Sequence, residues 1–190
     1  MLARRLAGSM AAIAIVSALG VPATAAASPP GAAWTKLECR PFSATGVRTS
    51  STCGATIEAG RALAPNAAPQ AVKDVIKAAN HIRGRPYEWG GGHSSWKSRG
   101  YDCSGAVGYA LHGAGLIERT MVSGEMELWG EGGLGRWITV YANRHHVYMV
   151  VAGLRFDTRD PPPGITGPRW HPDMPRGPSR RFTARHPAGL

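Results

Sequence analysis

At 190 residues the chain is long enough for one domain with a full hydrophobic core plus a leader, and too short for two such domains. Lys and Arg number 22 against 12 Asp and Glu, a formal charge of +10, with arginines spread along the chain and gathered at "RGPSRR". Without aromatic interleaving or a recognition-helix pattern, that excess argues against a nucleic-acid reader; it suits solubility and contact with anionic cell-wall polymers.

The first segment, "MLARRLAGSMAAIAIVSALGVPATAAASPP", has two arginines, an apolar core from Met10 to Val21, and small residues at Ala25 and Ala27 that fit an A-x-A cleavage site. It is expected to be a secretory signal over residues 1–27. The apolar core falls short of the roughly 20 residues that cross a bilayer, and Pro22 closes it, so no retained membrane anchor is expected. Cleavage after Ala27 removes two arginines and no acid, leaving 163 residues with 20 bases and 12 acids, a charge of +8.

Residues 28–69 are rich in Pro, Ala, Gly, Ser and Thr and read as an irregular leader covering the domain behind it. They hold Cys39 and Cys53, and the third cysteine is Cys103. In an oxidising compartment cysteines tend to pair, and the polar, turn-rich "RPFSATGVRTSST" between Cys39 and Cys53 has little to bury and gains order from a staple. A Cys39–Cys53 disulfide is therefore expected, with Cys103 left as a free thiol.

From residue 70 to 190 the pattern is that of one domain, helices first and strands after. Val72, Val75, Ile76, Ala79 and Ile82 recur at helical spacing, and Gly84 ends the run. A turn-rich loop comes next, "GRPYEWGGGHSSWKSRGYDCSG", holding Tyr87, Trp89 and three consecutive glycines. After Cys103 the residues Val107, Ala110, Leu111 and Ala114 share a face, predicting a second helix with small residues for close packing. Residues 123–129 suit a short third helix. "RWITVYA" and "HVYMVVAGLRFDT" turn to β composition, with "NRH" as a hairpin connection and Gly153 as a second turn.

Cys103 thus stands at a helix start, where unpaired amide donors and the helix dipole favour an anion and so the thiolate. A thiolate nucleophile needs a base. His146 opens a strand, and a histidine at a sheet edge can reach a helix end packed over that sheet. In "LRFDT" alternation sets Arg155 and Asp157 on one face, so Asp157 is a candidate to accept the imidazole N–H. Its plainer reading is a surface carboxylate paired with Arg155 or Arg159. Asn143 and His171 are the next candidates to orient the base, and alternation directs His145 away from it.

"GRPYEWGGG", "YDCSGAVGYAL" and "HVYMVVAG", in that order, resemble the NlpC/P60 family of cell-wall cysteine peptidases over roughly residues 70–158. The resemblance implies a papain-like α+β fold, with the nucleophile helix packed on an antiparallel sheet, and hydrolysis of amide bonds in peptidoglycan stem peptides without a cofactor. It makes Cys103 the nucleophile and His146 the base; the family's polar third member after the strand is commonly a histidine, and the nearest match here is Asp157. Tyr87 lines the site, Asp102 helps to hold substrate, and Ser104 and Trp89 join the substrate-binding set. Tyr148 departs from the pattern, standing where the family has a small residue. The alternatives are a catalytically silent wall-binding protein of the same fold, and a papain-like amidase or acyltransferase.

Other chemistries fit poorly. His93, Cys103, His112, His145, His146, His171 and His186 form neither H-E-x-x-H nor Cys-x-x-Cys, so no metal is expected. "WGGGHSS" lacks the Gly-Lys-Ser or Gly-Lys-Thr of a phosphate cradle; its glycines suit close backbone approach to the catalytic helix or to substrate. The proline-rich tail from Asp160 reads as mostly extended, with "RRFTARHP" as a last strand and Trp170 as either a cleft wall or a packing residue.

Overall fold

The computed structural model describes residues 54–160, 164–175 and 182–190. The expected signal segment and the expected Cys39–Cys53 pairing lie outside the described residues. Within them the domain is α+β, as the sequence patterns indicated.

The first described element corrects an expectation. The end of the supposedly irregular leader is a hairpin, β1 (Thr56–Glu58) and β2 (Arg61–Leu63), turned at Ala59 and Gly60, both at positive φ. It is fastened to helix α1 (Gln70–Ile82) by Asn80. The buried Asn80 amide donates to the Ala62 carbonyl at 2.8 Å, and its oxygen accepts from the Ala62 amide at 2.9 Å and from Trp170 Nε1 at 3.0 Å. One satisfied polar side chain thereby joins three segments distant in sequence. Trp170 is accordingly a packing residue, buried against Phe156.

Helix α1 buries Val72, Val75, Ile76, Ala79 and Ile82, the stripe its spacing predicts. It packs on helix α2 (Cys103–Gly113), where a Cβ on Gly113 would stand 2.4 Å from the Ala78 side chain. The small residue therefore sets how closely the helices approach. A short helix α3 (Ser123–Met126) comes after it.

Strands β3 (Glu131–Gly132), β4 (Ile138–Asn143), β5 (His146–Val151), β6 (Leu154–Asp157), β7 (Arg169–His171) and β8 (Thr183–His186) form an antiparallel sheet in the order β3-β8-β4-β5-β6-β7. Alternation divides it into two faces. Val140, Ala142, Val147, Met149, Val151, Leu154, Phe156 and Trp170 join the apolar core with the helices. The other face carries His146, Tyr148 and Val150 of β5 and Arg155 and Asp157 of β6, all buried.

The two hairpins around β5 are built differently. Ala152 and Gly153, both at positive φ, turn β5 into β6, which matches the right-handed twist of the strands. Ala152 is held in that unfavourable conformation from both sides: its amide donates to the Trp137 carbonyl and its carbonyl accepts from the Ala55 amide, each at 2.8 Å. The β4–β5 turn at Arg144 and His145 uses no positive φ. Instead Asn143 Oδ1 accepts from the amides of His145 and His146, at 2.9 and 3.0 Å, fixing the register that ends in Asn143 opposite His146.

Candidate active site

The surroundings of Cys103 are assembled largely by backbone. Asp102 is the N-cap of α2, extended at φ −84° and ψ −174°, and its Oδ1 accepts from the Gly105 amide at 2.7 Å. Oδ1 also lies 3.1 Å from His93 Nε2 and accepts from Ser104 Oγ at 3.2 Å, while Oδ2 accepts from the Gly90 amide at 3.1 Å. The triple glycine brings the loop against the helix. A Cβ on Gly105 would lie 2.0 Å from the Gly91 carbonyl oxygen, and the Asp102 amide donates to that same oxygen at 3.2 Å.

This arrangement changes the reading of two residues. Asp102 and Ser104 were expected to hold substrate, yet both are buried, with the Asp102 carboxylate occupied by four donors and Ser104 Oγ shared between Asp102 and His93. In the structure both hydrogen-bond at the helix start. His93, absent from the site set drawn from sequence, belongs to this support; nothing local in the sequence signals its reach across nine residues to Asp102.

Cys103 emerges from the cap half-buried, with a free thiol. Tyr87 lies near enough that burial, then the charges of Cys103 and Asp102, disfavour its phenolate. Its hydroxyl therefore stays neutral. The Tyr87 backbone is tied down by Thr166 Oγ1, which accepts from its amide at 3.3 Å. Trp89 projects from the same loop, 87% exposed.

His146, the candidate base, comes from the sheet. His146 occupies the first position of β5, an inner strand flanked by β4 and β6. It reaches Cys103 from a strand end, not from an outer edge strand as "sheet edge" implies. His146 Nε2 lies 2.9 Å from Asp157 Oδ1, leaving Nδ1 for the thiol. Burial is the largest influence on the imidazole and pulls its pKa down; hydrogen bonds to Asp157 and Cys103, and their negative charges, outweigh it and raise the pKa. For Asp157, burial pushes the pKa up, but His146, the Arg159 amide and Arg155 bring it below the ordinary carboxylate value. The group therefore holds a charged Asp157 against an imidazole disposed to stay protonated.

Asp157 is 2% exposed, so it is no surface carboxylate, although it does pair with Arg155, whose Nη1 donates to Oδ2 at 2.7 Å. Its Oδ1 also accepts from the Arg159 amide at 3.0 Å. Of the other candidate orienters, Asn143 caps the hairpin through its side-chain oxygen, and His171 Nε2 is buried without a hydrogen-bond partner. His145 is an exposed turn residue, excluded by the turn and not by strand alternation. The unexpected Tyr148 packs between Tyr141, with centroids 5.0 Å apart, and Phe182, at 5.2 Å. Tyr148 and Phe182 each lie 6.3 Å from the His146 ring.

No family model matches the chain, and no solved structure does. Over 81 residues the chain is 40% identical to peptidoglycan endopeptidase RipB of Mycobacterium tuberculosis, in the proteins of two strains, covering 38% of this chain and 33% of the relative. The chain thus spans about a third of the length of the curated relatives it matches. That partial likeness supports a cell-wall hydrolase family.

Proposed function

We propose that the protein is a secreted cysteine hydrolase that cleaves amide bonds in peptidoglycan stem peptides, with a papain-like arrangement of nucleophile helix and sheet. The observation that carries this reading is the line from Cys103 at a capped helix start, through His146, to Asp157 at 2.9 Å from the imidazole. A thiol, a base raised toward protonation and a buried carboxylate on the base's far nitrogen form a nucleophile–base–orienter set. The named activity of the partly similar relative indicates peptidoglycan as substrate.

In this mechanism the Cys103 proton passes to His146 Nδ1 and the thiolate attacks the amide carbonyl. The Cys103 amide and the Tyr87 hydroxyl hold the oxyanion. The imidazolium protonates the leaving amine as the C–N bond breaks, giving a thioester. His146 then takes a proton from water, whose oxygen attacks the thioester, releasing the acid and the thiol. Asp157 fixes the tautomer and balances the imidazolium. Asp102, Ser104 and His93 set the helix start, while exposed Trp89 offers a stacking surface to substrate.

The test is mass spectrometry of purified peptidoglycan fragments after incubation with the mature protein and with Cys103→Ala. New termini inside the stem peptide, absent with the variant, support the reading. Release of the whole stem from the sugar indicates the amidase instead, and unchanged fragments indicate a silent wall binder.

A further inference from the structure

Arg155 is 2% exposed and its guanidinium has three acceptors in three segments. Nη1 donates to Asp157 Oδ2 at 2.7 Å in β6 and to Asp160 Oδ2 at 3.1 Å in the turn after that strand, and Nε donates to the Asp173 carbonyl at 3.0 Å beyond β7. Asp160 stands at φ 56°, a left-handed conformation that Asp tolerates better than most residues, and the ion pair helps to hold it there. Asp157 therefore has His146 and the Arg159 amide on one oxygen and Arg155 on the other. Such a carboxylate cannot rotate without breaking a charged hydrogen bond on each side.

We propose that Arg155 is a positioning residue for the catalytic base: it locks the Asp157 carboxylate with Oδ1 toward His146 and offsets part of its charge. This deepens the hydrolase reading and rests on it. The charge effect has a definite sign. His146 faces Asp157 and Cys103, while Arg155 faces Asp157, Asp160 and, directly across the sheet, His171. Burial and then Arg155 lower the His171 pKa, so that ring stays neutral at neutral pH and does not supply the positive charge in place of Arg155. Arg169, in register with Asp157, is a further cation on this face but hydrogen-bonds to the Gly167 and Arg159 carbonyls. Removing the guanidinium takes away the cation hydrogen-bonded to Asp157 Oδ2, which strengthens the carboxylate's pull on the imidazolium proton while freeing it to turn.

The experiment tracks the titration of His146 by NMR in protein labelled with 15N-histidine, for the full mature chain, Arg155→Met and Arg155→Lys, with thermal melting of each. Arg155→Met is expected to raise the His146 pKa by about half a unit to one unit and to lower turnover at least tenfold. Arg155→Lys retains the charge without the forked geometry, so its titration should stay near that of the parent with only part of the turnover restored. A lowered melting temperature in both variants with an unmoved His146 titration would overturn the proposal and leave Arg155 a purely structural ion-pair partner. If Arg155→Met does not fold, Arg155→Lys decides the matter alone: parental turnover there would show that fork geometry does not position Asp157. The titration needs no substrate, so a protein that cuts no peptidoglycan would overturn the hydrolase reading while the Arg155 result still stands or falls by itself.

Discussion

The two halves of the site are held by opposite means. Around Cys103 the supports come from residues 90–105, through backbone amides, an N-cap and glycines that let main chain touch main chain. Around His146 they come from separate strands, through side chains whose meeting depends on register: His146 on β5, Asp157 and Arg155 on β6, with Phe182 and Tyr148 against the ring. A nucleophile needs a fixed position and an electrostatic environment, which a short loop and helix end can supply. A base that gains and loses a proton needs a counter-charge that is both buried and balanced, which takes several elements.

The comparison is broken most completely at the nucleophile. Cys103→Ala should abolish turnover while leaving the melting temperature close to that of the parent, because the helix cap rests on Asp102 and the glycines and not on the thiol. Asp157→Asn should be the largest effect on the base side. An amide offers one acceptor oxygen where the carboxylate serves three donors on two oxygens, and its NH2 must face either Arg155 or the imidazole N–H. A fall in kcat/KM of about a hundredfold to ten-thousandfold is expected, measured on peptidoglycan fragments. The alkaline limb of the activity profile should also move to lower pH, since the carboxylate is among the groups that raise the His146 pKa.

Gly105→Ala tests the backbone side. Its Cβ cannot coexist with the Gly91 carbonyl 2.0 Å away, so the loop must shift and carry Tyr87 and Trp89 with it. A stability loss of about 1–3 kcal/mol in chemical denaturation is expected, with kcat/KM falling alongside. Asn143→Ala is the mildest change: it frees two amides at the β4–β5 turn, and about 1 kcal/mol of stability should be lost with a small loss of activity.

The pH dependence of stability reports on the His146 side of the same contrast. His146 has a raised pKa, so its contribution is complete below the unfolded value near 6.5 and is lost as pH rises through the folded value. Asp157 has a lowered pKa, so its contribution is present above the unfolded value near 3.9 and is lost as pH falls through the folded value. Denaturation across pH should thus show a stability maximum in mildly acidic solution that flattens in the His146→Ala, Asp157→Asn double variant.

The nucleophile side was legible in sequence because its causes are local: the cap, the glycines and Cys103 fall within sixteen residues, and helix periodicity fixes which of them face inward. His146 and Asp157 were recognisable as a strand start and a strand-end acid, since alternation alone groups Asp157 with Arg155. Whether Asp157 met solvent or the imidazole depended on the β5–β6 register and on what covers that face, neither of which is written in "LRFDT". The part Asp102 plays at the helix start was hidden for a related reason. Its neighbour in sequence is Cys103, but its partners in space, His93 and the Gly90 amide, lie across a loop. The hairpin at residues 56–63 escaped because it is short, Ala-rich and held by Asn80 and by contacts at Ala152 that no local pattern announces.

The central claim is that these differently built halves meet as one thiolate–imidazolium unit, and the most direct measurement is the rate at which iodoacetamide alkylates Cys103, measured across pH in the parent and in His146→Ala. The account predicts that at neutral pH Cys103 in the parent reacts faster than cysteine in an unstructured peptide, and that His146→Ala lowers the rate by at least tenfold. Equal rates in parent and variant across the whole range would contradict it, because the thiol would then be reacting without its base.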